Sequence, residues 1–139
     1  MNASMSDTAP LNPFVEKTYQ DTYELLVSIR DYISGPMEQE AEKLEAPDQL
    51  RLTRELSSMT RDLTDAMAWL MMQKAIEAGE LSQEDADAEP AGNLVKNAGE
   101  TDELEDAEGL ARLPITARSL IDRSRRICAM VRQLSTDQD

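Results

Sequence analysis

Apolar residues recur along this chain at alternating spacings of four and three, the interval at which side chains return to one face of an α-helix. The first such stripe is Val15, Tyr19, Leu26, Ile29 and Ile33, interrupted by Thr22. Asn12-Pro13 supplies an N-cap residue and then proline at the first helical position, where its missing N–H is no loss. The stripe predicts a helix over 13–34. It ends at Ser34-Gly35-Pro36, because proline disfavours α geometry in the residue before it. The Glu-rich stretch 37–46 has few apolar residues and predicts a connector with partial helicity.

The strongest periodicity belongs to Leu52, Leu56, Met59, Leu63, Ala66 and Leu70, with Leu50, Met67, Trp69, Met71, Ala75 and Ile76 widening the stripe. It predicts a second helix over 48–78, roughly 45 Å long at 1.5 Å per residue. Gly79 is its natural stop, since glycine takes the left-handed conformation that satisfies the last carbonyls. Ser82 with Gln83, Glu84 and Asp85 predicts a short capped helix near 83–88. Periodicity then vanishes over 89–110, where Pro90, Gly92, Gly99 and Gly109 punctuate an acidic stretch that reads as a flexible loop. A third stripe, Leu113, Ala117, Leu120, Ser124, Ile127, Val131 and Leu134, predicts a helix over 114–134 opening at Pro114.

Three amphipathic segments without β-alternation specify an all-α fold: an antiparallel three-helix bundle over 12–135 with a long acidic loop between helices 2 and 3. Residues 1–11 are polar and carry a proline, and are expected to be a disordered lead-in. A chain of 139 residues suits one domain. With 40% apolar but only 4% aromatic residues, Leu, Ile, Val, Met and Ala do most of the packing. That is a helical palette.

Charge then narrows the function. A net charge of −14 opposes nonspecific attraction to nucleic acid or anionic membrane, which needs clustered Lys and Arg in excess. The charge is unevenly placed: residues 77–109 hold twelve Asp and Glu against one Lys, and residues 110–134 hold six Arg and one Asp. The acidic run is a solvated loop by its composition, with an electrostatic contact to the basic last helix or to a basic partner as the alternative. No apolar run approaches the roughly 20 residues of a membrane span, and Met1 to Pro10 lacks the basic start and apolar core of a secretory signal. The single cysteine, Cys128, fits a reducing compartment, so a cytoplasmic protein is expected.

The chain has no histidine, which removes the commonest general base and the commonest metal ligand together. No phosphate-binding glycine loop and no Glu-x-x-His helix is present. Carboxylate pairs such as Glu38 with Glu40 and Asp85 with Asp87 lie on segments too polar to desolvate them, and a general acid at neutral pH needs desolvation. Cys128 lies beside the apolar stripe and reads as a small buried hydrophobe. No enzyme, no cofactor and no metal is expected.

The segment AMAWLMMQKAIEAGE, residues 66–80, poses a sharper question. Trp69, Met71, Met72 and Ile76 make the second helix's stripe wider than one groove needs. They either complete their own core or form a second surface, because methionine suits adaptable interfaces and tryptophan suits binding hot spots. All four are therefore candidate interface residues.

Residue order adds a resemblance. Arg51-Leu52-Thr53-Arg54, then Ala68-Trp69-Leu70-Met71-Met72-Gln73-Lys74-Ala75, Ala78-Gly79-Glu80-Leu81-Ser82, Leu113-Pro114 and Leu120-Ile121-Asp122-Arg123-Ser124 resemble the alphaproteobacterial RcdA family, regulators of CtrA degradation. Asp31-Tyr32 followed by Gly35-Pro36 is similar to that family's first helix ending, and the likeness covers roughly residues 14–134. The resemblance implies a three-helix bundle, commonly a homodimer, without catalysis. It implies an adaptor that joins the ClpXP protease, primed by the response regulator CpdR, and helps present protein cargo such as CtrA. Raising cargo concentration at a protease needs two docking surfaces and no chemistry. Fuller family members carry a flexible C-terminal tail, whereas five residues follow Leu134 here. A second expectation from the residues is a dimeric helical module outside proteolysis, docking a response regulator or a basic partner through its acidic loop.

Overall fold

The structure, a computed structural model, describes residues 13–87 and 103–137, with side chains over 13–85 and 107–136. It is all-α. Among the described residues there are six helices: α1 (Pro13–Ser34), α2 (Pro36–Glu42), α3 (Ala46–Glu77), α4 (Gln83–Asp87), α5 (Glu103–Ala111) and α6 (Ile115–Asp137). The three long helices α1, α3 and α6 each pack against the other two.

Local chemistry accounts for the boundaries. Pro13 and Pro36 open α1 and α2, and Gly35 stands between them. At the start of α3 the Glu45 carbonyl accepts the N–H groups of Asp48 and Gln49, both at 2.9 Å. At its end Gly79 takes φ 77°. The Gly79 N–H donates to the Ile76 carbonyl at 3.0 Å and the Glu80 N–H to the Ala75 carbonyl at 2.9 Å, a Schellman closure. The Ser82 hydroxyl accepts the Asp85 N–H and so caps α4.

The apolar stripes meet in two clusters. The larger joins Leu25, Ile29 and Tyr32 of α1 to Leu52, Leu56, Met59 and Leu63 of α3, and to Leu113, Ala117, Leu120, Ile121 and Cys128. The smaller joins Val15 to Ala66, Trp69 and Leu70, and to Val131 and Leu134. Thr22, which interrupts the first stripe, is fully buried. Its hydroxyl is satisfied by donating to the Thr18 carbonyl one turn back, at 2.6 Å.

These clusters correct the expected antiparallel arrangement. The start of α1 lies beside the ends of both α3 and α6, so α1 runs antiparallel to each. The starts of α3 and α6 share one cluster and their ends share the other, so α3 and α6 run parallel. A stripe with period 3.6 says which face is buried but carries no direction. Here the chain leaves α3 at Gly79 and is back beside its start by Gly109, whose own Cβ, if it had one, would collide with the Arg51 guanidinium.

The connector 37–46 is partly helical as expected, its helical part being α2, while one further expectation shifts. The loop expected over 89–110 is helical from Glu103 onward; its earlier part, like the lead-in over 1–11, lies outside the described residues.

Candidate interaction surface

Ion pairs follow the parallel setting of α3 and α6. Asp48, Glu55 and Asp62 recur every seven residues on α3, so they line one flank. Arg112 donates to Asp48 at 3.1 Å, and Arg125 reaches Glu55 at 3.6 Å while Arg51 approaches the same carboxylate at 3.8 Å. Arg132 is near enough to Asp62 to pull its pKa down, although burial holds that carboxyl above its ordinary value. Two arginines of the basic last segment, Arg112 and Arg125, are thus paired with α3, and Arg132 follows them in the same order beside Asp62. At the opposite end Lys74 closes α3 onto α1: its ammonium lies 3.1 Å from Glu16 and 3.9 Å from the centre of the Tyr19 ring. Gln20, then Lys74, lowers the pKa of Glu16 by hydrogen bonding.

The four candidate interface residues sit on this framework in different ways. Trp69 is 5% exposed and belongs to the smaller core cluster with Val15, Leu70, Val131 and Leu134. Met72 is half-buried against the same cluster, and Ile76 is half-buried one turn further on. Met71 is 55% exposed. Residues two apart on a helix project about 160° apart, so Trp69 and Met71 face different sides of α3. They do not form one patch.

Other apolar side chains that the stripes do not single out stand in water: Phe14 at 58%, Tyr23 at 56%, Ile115 at 74% and Met130 at 43%. Phe14 and Ile115 lie just outside the regular spacing of their helices, and that offset is the one sequence signal that marks them. Ile33 and Leu50 fall within the stripes, yet they are 47% and 54% exposed. Both lie near helix ends, where fewer neighbours cover the flank.

Titratable groups offer little reactive chemistry. Among the described residues no group of three or more His, Cys, Asp and Glu is placed to hold a metal ion. Cys128 is buried, and burial first, then Asp62, pushes its thiol up to about 11. A thiol in that state is a weak nucleophile at neutral pH. The Tyr32 phenol is held above its ordinary range by burial first and then by Glu40. A groove of about 290 Å³ between α1 and α6 is lined by Asp21 and Glu24 on one wall and Arg123, Arg126 and Ile127 on the other. Asp21 is already paired with Lys17 at 2.7 Å and Arg126 with Asp122 at 2.9 Å. No described helix is long and apolar enough to cross a membrane.

A family model described as "Protein of unknown function (DUF1465)" matches residues 9–138. Among solved structures, RcdA from Caulobacter crescentus CB15 is similar to this chain with a TM-score of 0.71 at 23% identity, covering 91% of this chain and 92% of that one. No curated protein matches the chain.

Proposed function

The chain belongs to the DUF1465 family, and on that premise we propose that it is an RcdA-like, non-enzymatic adaptor in regulated proteolysis. The observation that carries the reading is the likeness to RcdA in fold over nearly the whole of both chains. The residue pattern through Trp69, Gly79 and Leu120 supports it independently of the fold. On this reading the three long helices act as a rigid three-helix scaffold in the cytoplasm. With CpdR, the scaffold brings cell-cycle regulators such as CtrA to the ClpXP protease. Catalysis comes from the protease, and the adaptor contributes effective concentration.

The protein works here as a homodimer. Met71 is the exposed apolar contact, while Trp69, Met72 and Ile76 stiffen the helix end behind it. At 55% exposure the Met71 thioether is available for such a contact, and methionine adapts readily to a partner surface.

The test is a reconstituted degradation assay with protease, CpdR and cargo. Adding this protein should shorten the cargo's half-life in proportion to adaptor concentration until docking saturates. An unchanged half-life across that range sinks the proposal.

A further inference from the structure

Helix α2 is held differently from the long helices. Its seven residues include no fully buried side chain. Met37 and Ala41, with Leu44 just beyond the helix, lie half-buried against the cluster containing Ile29, Tyr32 and Leu52. Its entry is Gly35-Pro36, with Gly35 at φ −127° and ψ −97°, outside helical geometry. Pro36 has no N–H to tie the joint to the preceding turn. At its exit the Lys43 and Leu44 N–H groups close the last turn onto Glu40 and Ala41, and one side chain ties that turn to α3: the Gln49 amide donates to the carbonyls of Ala41 at 2.8 Å and Leu44 at 3.2 Å.

Beneath this segment lies a poorly aligned polar contact. The Tyr32 hydroxyl and the Glu40 Oε1 atom are both buried, and neither makes a well-formed hydrogen bond. They lie close enough for Glu40 to hold the phenol up by hydrogen bonding, after burial, so the contact is a poorly aligned one rather than an absent one. So poorly aligned a contact adds little to the closed arrangement, and opening would hydrate both groups.

We propose that α2 is a hinged cover, turning about Gly35-Pro36 and released at Gln49, which opens while α1, α3 and α6 stay packed. Opening uncovers Tyr32 and its apolar neighbours at the end of the molecule where Ile33, Leu50 and Ile115 already stand exposed. The apolar area at that end is thereby switched between a small and a large state. Local opening of this kind draws on a segment's own few contacts rather than on the stability of the whole fold.

Native-state hydrogen exchange on the full chain, read at single amides, tests the cover. In the unmodified protein, the amides of Glu42, Lys43 and Leu44 should exchange at least tenfold faster than those of Leu63, Leu70 and Val131. Tyr32→Phe keeps the ring but leaves the Glu40 oxygen buried beside no donor in the closed state, so it should speed exchange in α2 by about twofold or more. Gln49→Ala should speed it by between about twofold and tenfold. Neither variant should change the long helices. Exchange of α2 in step with Leu63 and Val131 would overturn the proposal, as would variants that move both sets of amides equally.

Discussion

Changing Trp69 and Met71 separately distinguishes a core residue from a surface one within a single helical turn. Trp69 is 5% exposed among Val15, Ala66, Leu70, Val131 and Leu134. Trp69→Ala leaves a cavity between three helices and should cost about 3–5 kcal/mol. An unfolding entropy of about 2.1 cal/mol/K per residue gives about 0.29 kcal/mol/K for a chain of this length, so the melting temperature should fall by about 10–17 °C. Met71 is 55% exposed, and Met71→Glu should change the intrinsic stability by no more than about 0.5 kcal/mol, or about 2 °C. Thermal melts by far-ultraviolet circular dichroism, with light scattering on the same samples, check both. Met71→Glu should keep its helicity and move the scattering mass from dimer toward monomer. A melting temperature for Trp69→Ala within about 5 °C of the unmodified protein would refute the core placement. An unchanged mass for Met71→Glu would refute the interface.

Three further outcomes are expected. Burial holds the Asp62 carboxyl above its ordinary value of 3.8 against the lowering pull of Arg61, with Asp65 adding to the rise and Arg132 opposing it. The folded state therefore binds that proton more tightly than the unfolded one, so stability falls as pH climbs through the unfolded and then the folded value. Asp62→Asn should raise the melting temperature at neutral pH and bring no such gain once the medium is acid enough to protonate Asp62 in both states. Cys128, buried and with its thiol pushed up to about 11, should resist iodoacetamide in the native protein and react only as fast as the fold opens; rapid native alkylation would contradict its placement. Gly79 has φ 77°, and a methyl group added there would meet nothing within 4 Å, so Gly79→Ala should lose about 1–2 kcal/mol through backbone conformation alone, seen as a shifted denaturant midpoint with an unchanged slope.

How far the sequence reaches is clearest at particular residues. Pro13, Gly35-Pro36 and Gly79 mark helix ends through their own backbone chemistry, and the structure has helices starting or stopping there. The inward faces were legible as well, because Leu52, Leu56, Leu63, Leu70 and Val131 repeat at the helical period. Direction was not. A stripe reads the same either way along its axis, and the parallel setting of α3 and α6 shows only when Asp48 is seen beside Arg112 and Ala66 beside Val131. Residue type did not settle the candidate surface either. Trp69 and Met71 look alike as large apolar residues, and their separation into core and surface depends on where α1 and α6 lie around α3. Tyr32 and Glu40 meet only because the chain turns back at Gly35, which periodicity does not encode.

The parallel pairing of α3 with α6 also orders assembly in time. Asp48 and Arg112 are 64 residues apart in sequence, so that contact forms only after a long stretch of chain has been brought round. Helices α1 and α3 are joined through the short α2 and can meet with far less loop closure. Contact order therefore favours pairing of α1 with α3 before α6 fills the apolar trough between them. A chain in which that trough is unfilled leaves Leu63, Leu70 and Val15 open to water and to other chains.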